Sequence, residues 1–326
     1  TMGDVTVNAK GNVSVGLIGH ATEVATSVGT ISMTSTDGYI YAADINTKDA
    51  DGITVNMTAK TTIDKSNGST AATVENVGGN ITASLAGAAA AYVDYTGKVV
   101  NLTATNTGGL KSTITNAATA GDSSTSTISL GNAASSKTNA ITIDGTVDTI
   151  NVTGGTGTDT VAFGGSDAIK NGTISLGGGS SDSIDFSGLA ITNTKGLAMN
   201  FSSSTIYFGE GSANVSSIAS GKVAAYDAAN YAGSTTAANK AIIVDGQNFT
   251  VSGVEIVVGT AAADYIAVAN TGMTVTGGAG ADIIIANAGV DIIKGLEVAN
   301  QSIVSTARTF ADANSIAAND TITFGN

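Results

Sequence analysis

Glycines and aspartates recur together in this sequence in a pattern that can coordinate a metal ion. The segment 154–162 runs Gly-Gly-Thr-Gly-Thr-Asp-Thr-Val-Ala, and the segment 277–285 runs Gly-Gly-Ala-Gly-Ala-Asp-Ile-Ile-Ile. Both fit the nine-residue pattern Gly-Gly-x-Gly-x-Asp-x-U-x, in which U is a large apolar residue. Carboxylate and carbonyl oxygens are the ligands of hard cations such as Ca²⁺. The two segments therefore predict turns that bind calcium.

Other aspartates near the end of the chain keep the spacing of this pattern. Asp264 lies in a degenerate copy of the motif, two nine-residue periods before Asp282, and Asp291 lies one period after Asp282. The position midway between Asp264 and Asp282 is occupied by Met273. Asp264 and Asp282 are the strongest pair of candidate ligands because they combine regular spacing with a complete motif.

The motif around Asp182 is less complete. Its segment 177–184 has Ser180 in place of the third glycine, and the separation between Asp159 and Asp182 is not a whole number of nine-residue periods. We expect Asp159, Asp167 and Asp182 to be weaker calcium ligands than the pair near the end of the chain. For every such turn the alternative is a Gly-Asp turn that holds no metal.

Short strands that end in small-residue turns surround these motifs. Segments such as 150–153 and 184–186 alternate apolar and polar residues, so alternate side chains point to opposite faces. Strands this short do not form an independent sheet, but they can stack in parallel along a repeat structure. Only 5% of the residues are aromatic, and thin layers of Val, Ile and Thr need no large rings. We predict an all-β fold, a parallel β-solenoid or β-roll with minor helical insertions.

The rest of the chain divides into less regular regions. Residues 1–140 are predicted to be irregular and β-rich, either part of the solenoid or a separate β domain, and residues 141–326 to be the solenoid proper. The alanine-rich run 83–91 fits either a helix or a strand face of small residues. Segment 222–241 is predicted to be an insertion, as a loop or short helix, and segment 296–316 is the best helical candidate because its apolar residues are spaced for one face.

Over residues 141–190 and 255–297 the chain resembles the repeat-in-toxin (RTX) β-roll. The resemblance implies that each nonapeptide contributes a calcium-binding turn and then a short strand, and that successive nonapeptides alternate between two rows. Asp264 and Asp282 would then face one Ca²⁺ ion, while Asp291 would begin the opposite row, which has no partner carboxylate at Met273. The implied metal-binding residues are Asp264, Asp282, Asp291, Gly278, Gly280, Asp159, Gly155, Gly157 and Asp182.

Composition argues against several classes of function. The chain has 26 acidic and 13 basic residues and no cluster of Lys and Arg, so nucleic-acid binding is not expected. It has no cysteine, which excludes disulfides and thiolate metal sites, and no apolar stretch of the roughly 18 residues that a membrane span needs. His20 is the only histidine and no nucleophile motif is present, so we predict that the protein is not an enzyme.

An acidic, cysteine-free chain rich in Ala, Thr, Gly and Asn with RTX-like turns resembles the bacterial surface-layer proteins exported by type I secretion. The resemblance implies an extracellular, cell-surface location, calcium-dependent folding after export, and self-association into a two-dimensional lattice. The first residues lack a signal peptide, and we expect them to be an internal cut in a longer protein. Anchoring to a cell-surface polysaccharide or lipopolysaccharide is expected through a region outside this chain. The alternatives are an RTX adhesin or biofilm-matrix module and, less favoured, a β-helix enzyme that acts on polysaccharides.

Overall fold

The fold is built from β-strands and turns. The structure is a computed structural model that describes residues 3–19, 29–42, 44–47, 52–66, 70–117, 124–134, 136–146, 149–165, 171–189, 195–203, 205–208, 216–227, 242–269, 271–280, 282–286, 291–294, 302–305 and 321–324. No helix occurs within these ranges. Most strands pair in parallel in a large sheet, an arrangement consistent with a β-solenoid. The predicted all-β class is confirmed.

The chain divides into two compact units. The first consists of Thr1–Ala162 with Leu176–Ser180, and the second of Phe163–Ser175 with Ser181–Asn326. The predicted division into an irregular β-rich region, residues 1–140, and a solenoid, residues 141–326, stays a prediction.

The strands of the first unit vary in length from two residues to sixteen. They are β1 (Val5–Ala9), β2 (Val13–Val15), β3 (Ile18–Gly19), β4 (Thr30–Ser35), β5 (Ile40–Ala42), β6 (Asp44–Thr47), β7 (Ile53–Ala59), β8 (Thr62–Asp64), β9 (Ala72–Gly87), β10 (Ala90–Ala104), β11 (Leu110–Ala117), β12 (Thr125–Leu130), β13 (Thr138–Thr146), β14 (Thr149–Thr153) and β15 (Thr158–Phe163), whose last residue belongs to the second unit.

The first unit stacks its strands in parallel but with irregular spacing. Strands β1, β4, β7 and β9 follow one another in one column, and β2, β5 and β8 in a second. Ile81 pairs with Val100, whereas Lys111 pairs with Ala140, so the separation along the sequence between paired residues is much longer in the second case. Because loops of different length leave the columns from repeat to repeat, no single sequence period describes this unit.

Apolar side chains in the first unit meet inside the stack. Met33, Met57 and Leu85 occupy equivalent positions of β4, β7 and β9, and all three are buried. Most strands alternate buried and more exposed residues, as β4 and β7 do. Alternation of this kind gives one face to the interior and the other to solvent. The core is therefore a set of short apolar columns rather than one large cluster.

The strands of the second unit are mostly short. They are β16 (Asn171–Ser175), β17 (Ser183–Asp185), β18 (Lys195–Asn200), β19 (Ile206–Phe208), β20 (Ser216–Ile218), β21 (Lys222–Asp227), β22 (Ile242–Ser252), β23 (Ile256–Val258), β24 (Tyr265–Ala267), β25 (Thr274–Thr276), β26 (Ile283–Ala286), β27 (Ile292–Lys294), β28 (Ser302–Ser305) and β29 (Thr321–Phe324).

A strict spacing governs strands β23 to β27 of the second unit. Ile256 pairs with Thr274 and Thr274 with Ile292, so β23, β25 and β27 form one column with a constant offset of two nine-residue periods. Tyr265 pairs with Ile283 at the same offset, so β24 and β26 form part of another column. Consecutive strands thus alternate between two columns. This alternation is what a nine-residue repeat produces when two repeats complete one layer.

Three sequence-based expectations concern segments outside these columns, and the structure can be compared with each. The alanine-rich run 83–91 lies in strands β9 and β10, so its strand interpretation is the correct one. Residues 222–227 form β21, which pairs antiparallel with β18 and β22, and residues 228–241 lie outside the described ranges. The helix predicted for 296–316 is wrong at 302–305, because these residues pair in parallel with β26 and β29 as strand β28.

Candidate metal centre

Two buried carboxylates lie in adjacent layers of the second unit, two nine-residue repeats apart. Asp264 and Asp282 immediately precede β24 and β26, whose register joins Tyr265 to Ile283. Both aspartates are fully buried. The backbone N–H of Asp264 donates to Oδ1 of Asp282 at 2.9 Å. The structure therefore brings together the two residues whose regular spacing made them the strongest candidates.

Glycines permit this close stacking of turns. Gly278 and Gly280 have φ values of 97° and 108°, in the left-handed region that favours glycine. A Cβ at Gly278 would overlap the carbonyl oxygen of Thr260 in the preceding repeat. A Cβ at Gly277 would lie 2.5 Å from Oδ2 of Asp282. The motif needs its glycines because the aspartate folds back over the first of them while the preceding turn packs against the others.

Asp264 accepts several hydrogen bonds. Its Oδ1 accepts the backbone N–H of Leu197 at 2.6 Å, and its Oδ2 accepts the N–H of Thr260 at 2.6 Å. The Thr260 hydroxyl lies 3.0 Å and 3.1 Å from the two carboxylate oxygens. Burial, and then the charge of Asp282, nevertheless raise the pKa of Asp264 to about 8 against the opposing effect of these hydrogen bonds. A buried carboxyl that feels the charge of another carboxylate favours its protonated form or a bound cation.

Asp291 belongs to the other column. It precedes β27 and is almost fully buried, and its Oδ1 accepts the backbone N–H of Met273 at 3.0 Å. The pairing of β25 with β27 places Met273 and Asp291 at equivalent positions of their repeats. The register therefore puts Met273 opposite Asp291.

Glu255 is an acidic residue of this column that the sequence-based prediction missed. The backbone N–H of Asp182 donates to Oε2 of Glu255 at 2.9 Å, and Asp182 is fully buried. Burial raises the pKa of Glu255, although the hydrogen bond from Asp182 lowers it. Glu255 lies one nine-residue period before Asp264, so the same period that joins 264, 282 and 291 could have identified it. The prediction did not include Glu255 because no glycine motif precedes this residue.

Asp159 lies in the first unit and accepts a hydrogen bond from a side-chain amide. Nδ2 of Asn139 donates to Oδ1 of Asp159 at 2.8 Å, and the N–H of Gly155 donates to its Oδ2 at 2.8 Å. Both Asp159 and Asn139 are buried. A Cβ at Gly155 would lie 2.6 Å from the carbonyl oxygen of Gly131, and one at Gly157 would lie 2.8 Å from that of Ala133.

The donor atoms around Asp264 and Asp282 suit a hard cation. They are two carboxylates, the Thr260 hydroxyl and the carbonyls of closely stacked turns, with no sulfur or imidazole. Within the described ranges, no three His, Cys, Asp or Glu side chains gather in one place. An ion here would thus draw on hydroxyl and carbonyl oxygens besides the two carboxylates. The predicted ligand Asp167 and the histidine His20 lie outside the described residues.

Comparison with known proteins returns no relative. No protein-family model, no curated protein and no solved structure matches the chain. Within the part of the chain that the structure describes, no helix is both long and apolar enough to cross a membrane. The repeats and the carboxylate pair are therefore the features of the chain that point to a function.

Proposed function

We propose that this chain is a structural, extracellular surface-layer protein whose later repeats form a β-roll that binds calcium between Asp264 and Asp282. The observation that carries the proposal is the burial of these two carboxylates at equivalent positions of adjacent layers. Asp282 belongs to a complete RTX nonapeptide, and Gly278 and Gly280 shape its turn.

Calcium would supply positive charge where the fold buries two negative charges. Without a cation, Asp264 has to take up a proton or leave its charge next to that of Asp282 in a medium of low dielectric constant. A calcium ion removes this penalty and joins the two repeats through shared oxygen ligands. The ligands provided by the chain are Asp264, Asp282 and the Thr260 hydroxyl, together with carbonyls of the stacked turns. Binding and folding are then the same event for these repeats.

Such coupling suits a protein that is secreted unfolded and ordered outside the cell. Low calcium in the cytosol leaves the acidic turns open, and higher calcium outside closes them. The net charge of −13 keeps separate copies apart until cations reduce their repulsion. The proposed end state is a two-dimensional lattice of copies at the cell surface, reached by type I secretion, with no catalytic activity.

A calcium titration after EDTA treatment tests the proposal, with far-UV circular dichroism for folding and light scattering for assembly. We expect the β-signal and ordered assembly to appear together as calcium is added. Asp282→Ala should need at least about tenfold more calcium, because it removes one of two charged ligands. Asp37→Ala is the matched control, since it removes the same charge from a side chain that is 51% exposed.

Other outcomes would redirect the proposal. Folding without assembly would favour the RTX adhesin or biofilm-matrix module over the surface layer. A chain that folds equally well in EDTA and in calcium, with no difference between Asp282→Ala and Asp37→Ala, would show that the glycine-rich turns bind no calcium.

A further inference from the structure

A groove crosses the outer face of the first unit, over strands β10, β11, β13 and β15. It consists of two adjoining hollows of about 200 Å³ and about 230 Å³ that share Tyr92, Lys111 and Ala140, and all of its lining residues belong to the first unit. Tyr92 pairs with Lys111, and Lys111 pairs with Ala140, so the three form one row across the strands. Because neighbouring strands lie about 4.8 Å apart, four strands give the groove a length of roughly 15 Å. This length suits an extended ligand.

The groove forms where large and small outward-facing residues lie side by side. In β10, Tyr92 and Asp94 alternate with buried residues and therefore belong to the outer face. The small lining residues on the same face include Ala90, Ala140 and Ala162. A larger side chain at any of these alanines would fill the space, so the sequence keeps the groove open.

One cation and one anion line the groove. Lys111 is exposed, and neither of the ion pairs within the described residues involves it. Oδ1 of Asp94 accepts the backbone N–H of Thr113 at 2.6 Å, which holds the carboxylate in place. With one charge of each sign the lining is neutral, although the chain has a net charge of −13. A neutral ligand rich in hydroxyls matches this balance, because a hydroxyl can donate to a carboxylate and accept from an ammonium group.

The remaining lining groups also suit such a ligand. Tyr92 is half-buried and lines both hollows, and Thr142 and Thr160 lie in the hollow that contains Asp94. An aromatic ring can pack against the C–H face of a sugar ring while its hydroxyl and nearby polar groups bond to the sugar hydroxyls. An apolar ligand would instead need an enclosed and mainly apolar cavity. The lining therefore favours a sugar.

We propose that this groove binds a neutral oligosaccharide. Tyr92 supplies the stacking surface, Asp94 accepts hydrogen bonds from sugar hydroxyls, and Lys111 donates hydrogen bonds to them. The inference goes beyond the proposed function, because none of these residues belongs to the calcium site. It places contact with a polysaccharide on this chain itself, whereas the sequence-based expectation assigned that contact to a region outside the chain.

Isothermal titration calorimetry on the full chain in calcium tests this inference. The neutral probes are cellohexaose, mannohexaose and maltohexaose, and the acidic probe is hexagalacturonate. We expect at least one neutral probe to bind, with a Kd that changes by less than about twofold between low and high salt, because no ion pair forms. Failure of all three neutral probes to bind would overturn the inference. Tighter binding of hexagalacturonate that weakens with salt would overturn it too, because the groove would then select anions.

A matched pair of tyrosine variants locates the binding. Tyr92→Ala should raise the Kd of the neutral probe by about tenfold or more, because it removes the stacking surface. Tyr41→Ala is the control, since Tyr41 is a half-buried tyrosine of β5 that stacks on Tyr39 and does not line the groove. Its Kd should stay within about twofold of the wild-type value. Equal losses in the two variants would count against a site in the groove.

Ala140→Phe provides a second test that removes none of the proposed ligand contacts. The added ring fills the middle of the groove, so we expect the Kd to rise by about tenfold or more while the circular dichroism spectrum stays that of the wild type. Lys111→Met should raise the Kd by a smaller factor, about threefold to tenfold, because it removes a hydrogen-bond donor but keeps an apolar side chain. Wild-type affinity in both Ala140→Phe and Tyr92→Ala would show that the sugar binds elsewhere and would overturn the inference.

Discussion

The two units of this chain stack parallel strands by different means. In the first unit, several side chains of one layer accept N–H groups of the next: Oδ1 of Asp4 accepts the N–H of Thr30, and Oδ1 of Asn132 accepts that of Thr156. In the later repeats of the second unit the direction is reversed, because Asp282 accepts the N–H of the preceding Asp264. Side chains that cap strands from loops of any length tolerate irregular repeats. The carboxylates of Asp264 and Asp282 lie in turns of constant spacing.

The difference also separates two ways of accommodating buried polar groups. Amide side chains satisfy their neighbours with hydrogen bonds alone, whereas a pair of carboxylates requires a proton or a cation. Under the proposed function, regular spacing and cation dependence go together in the second unit. We expect this contrast between the two units to appear in four measurements, of which the first has the largest effect.

Removing calcium should make the stability of the second unit depend on pH. Asp264 has a pKa of about 8 in the folded chain, against a value of about 4 when unfolded. The folded state then holds a proton that the unfolded state releases, so in EDTA the free energy of unfolding falls by several kcal/mol as pH rises from about 4 to about 8. Urea unfolding followed by circular dichroism at several pH values measures this slope.

The same pH series contains its own checks. Calcium should flatten the profile, because the ion replaces the proton, and Asp264→Asn should flatten it in EDTA by removing the titrating group. A wild-type profile that rises with pH over this range in EDTA would contradict the assignment of a raised pKa to Asp264.

Gly278→Ala should destabilise the second unit by about 3 kcal/mol or more, even with calcium present. Residue 278 has a φ of 97°, and the added Cβ would overlap the carbonyl oxygen of Thr260. Gly178→Ala is the control, because Gly178 holds the matching position of the incomplete motif and a Cβ there would meet nothing within 4 Å. Equal urea midpoints for the two variants would refute the close stacking of the 260 and 278 turns.

Thr260→Val should weaken the carboxylate pair by a smaller amount. The substitution keeps the shape of the side chain but removes the hydroxyl, which contacts both oxygens of Asp264 and accepts the N–H of Ala262 at 3.1 Å. We expect a loss of about 1–2 kcal/mol in unfolding free energy and weaker calcium binding by isothermal titration. Thr276→Val, on strand β25, is the control for replacing a threonine in these repeats, and it should leave calcium affinity unchanged.

Tyr95→Phe should have the smallest effect and the opposite sign. Tyr95 is fully buried in β10, and its hydroxyl has no hydrogen-bond partner among the described residues. Removing an unsatisfied buried hydroxyl should raise the unfolding free energy of the first unit by about 1 kcal/mol, and equally in EDTA and in calcium. A loss of stability, or a gain confined to one of the two conditions, would count against this description of the interior.

Local patterns predicted much of the β-structure. The alternation of apolar and polar residues located strands such as β7 and β14, because period-two burial is a property of each strand by itself. The same kind of reasoning failed at 302–305, where apolar spacing indicated a helix. Three or four apolar residues fit either a helix face or a strand, and only the pairing of β28 with β26 and β29 decides between them.

The nonapeptide period determined, from sequence alone, that Asp264 and Asp282 occupy equivalent places, because two nine-residue repeats complete one layer when every turn has the same length. Tertiary structure alone decided the contacts that cross long separations. Asp182 meets Glu255 across 73 residues, and Leu197 meets Asp264 across 67. It also decided that Asp159 has an amide neighbour, Asn139. The physical reason is that loops of variable length erase the sequence period, whereas hydrogen bonding between parallel strands restores the register in space.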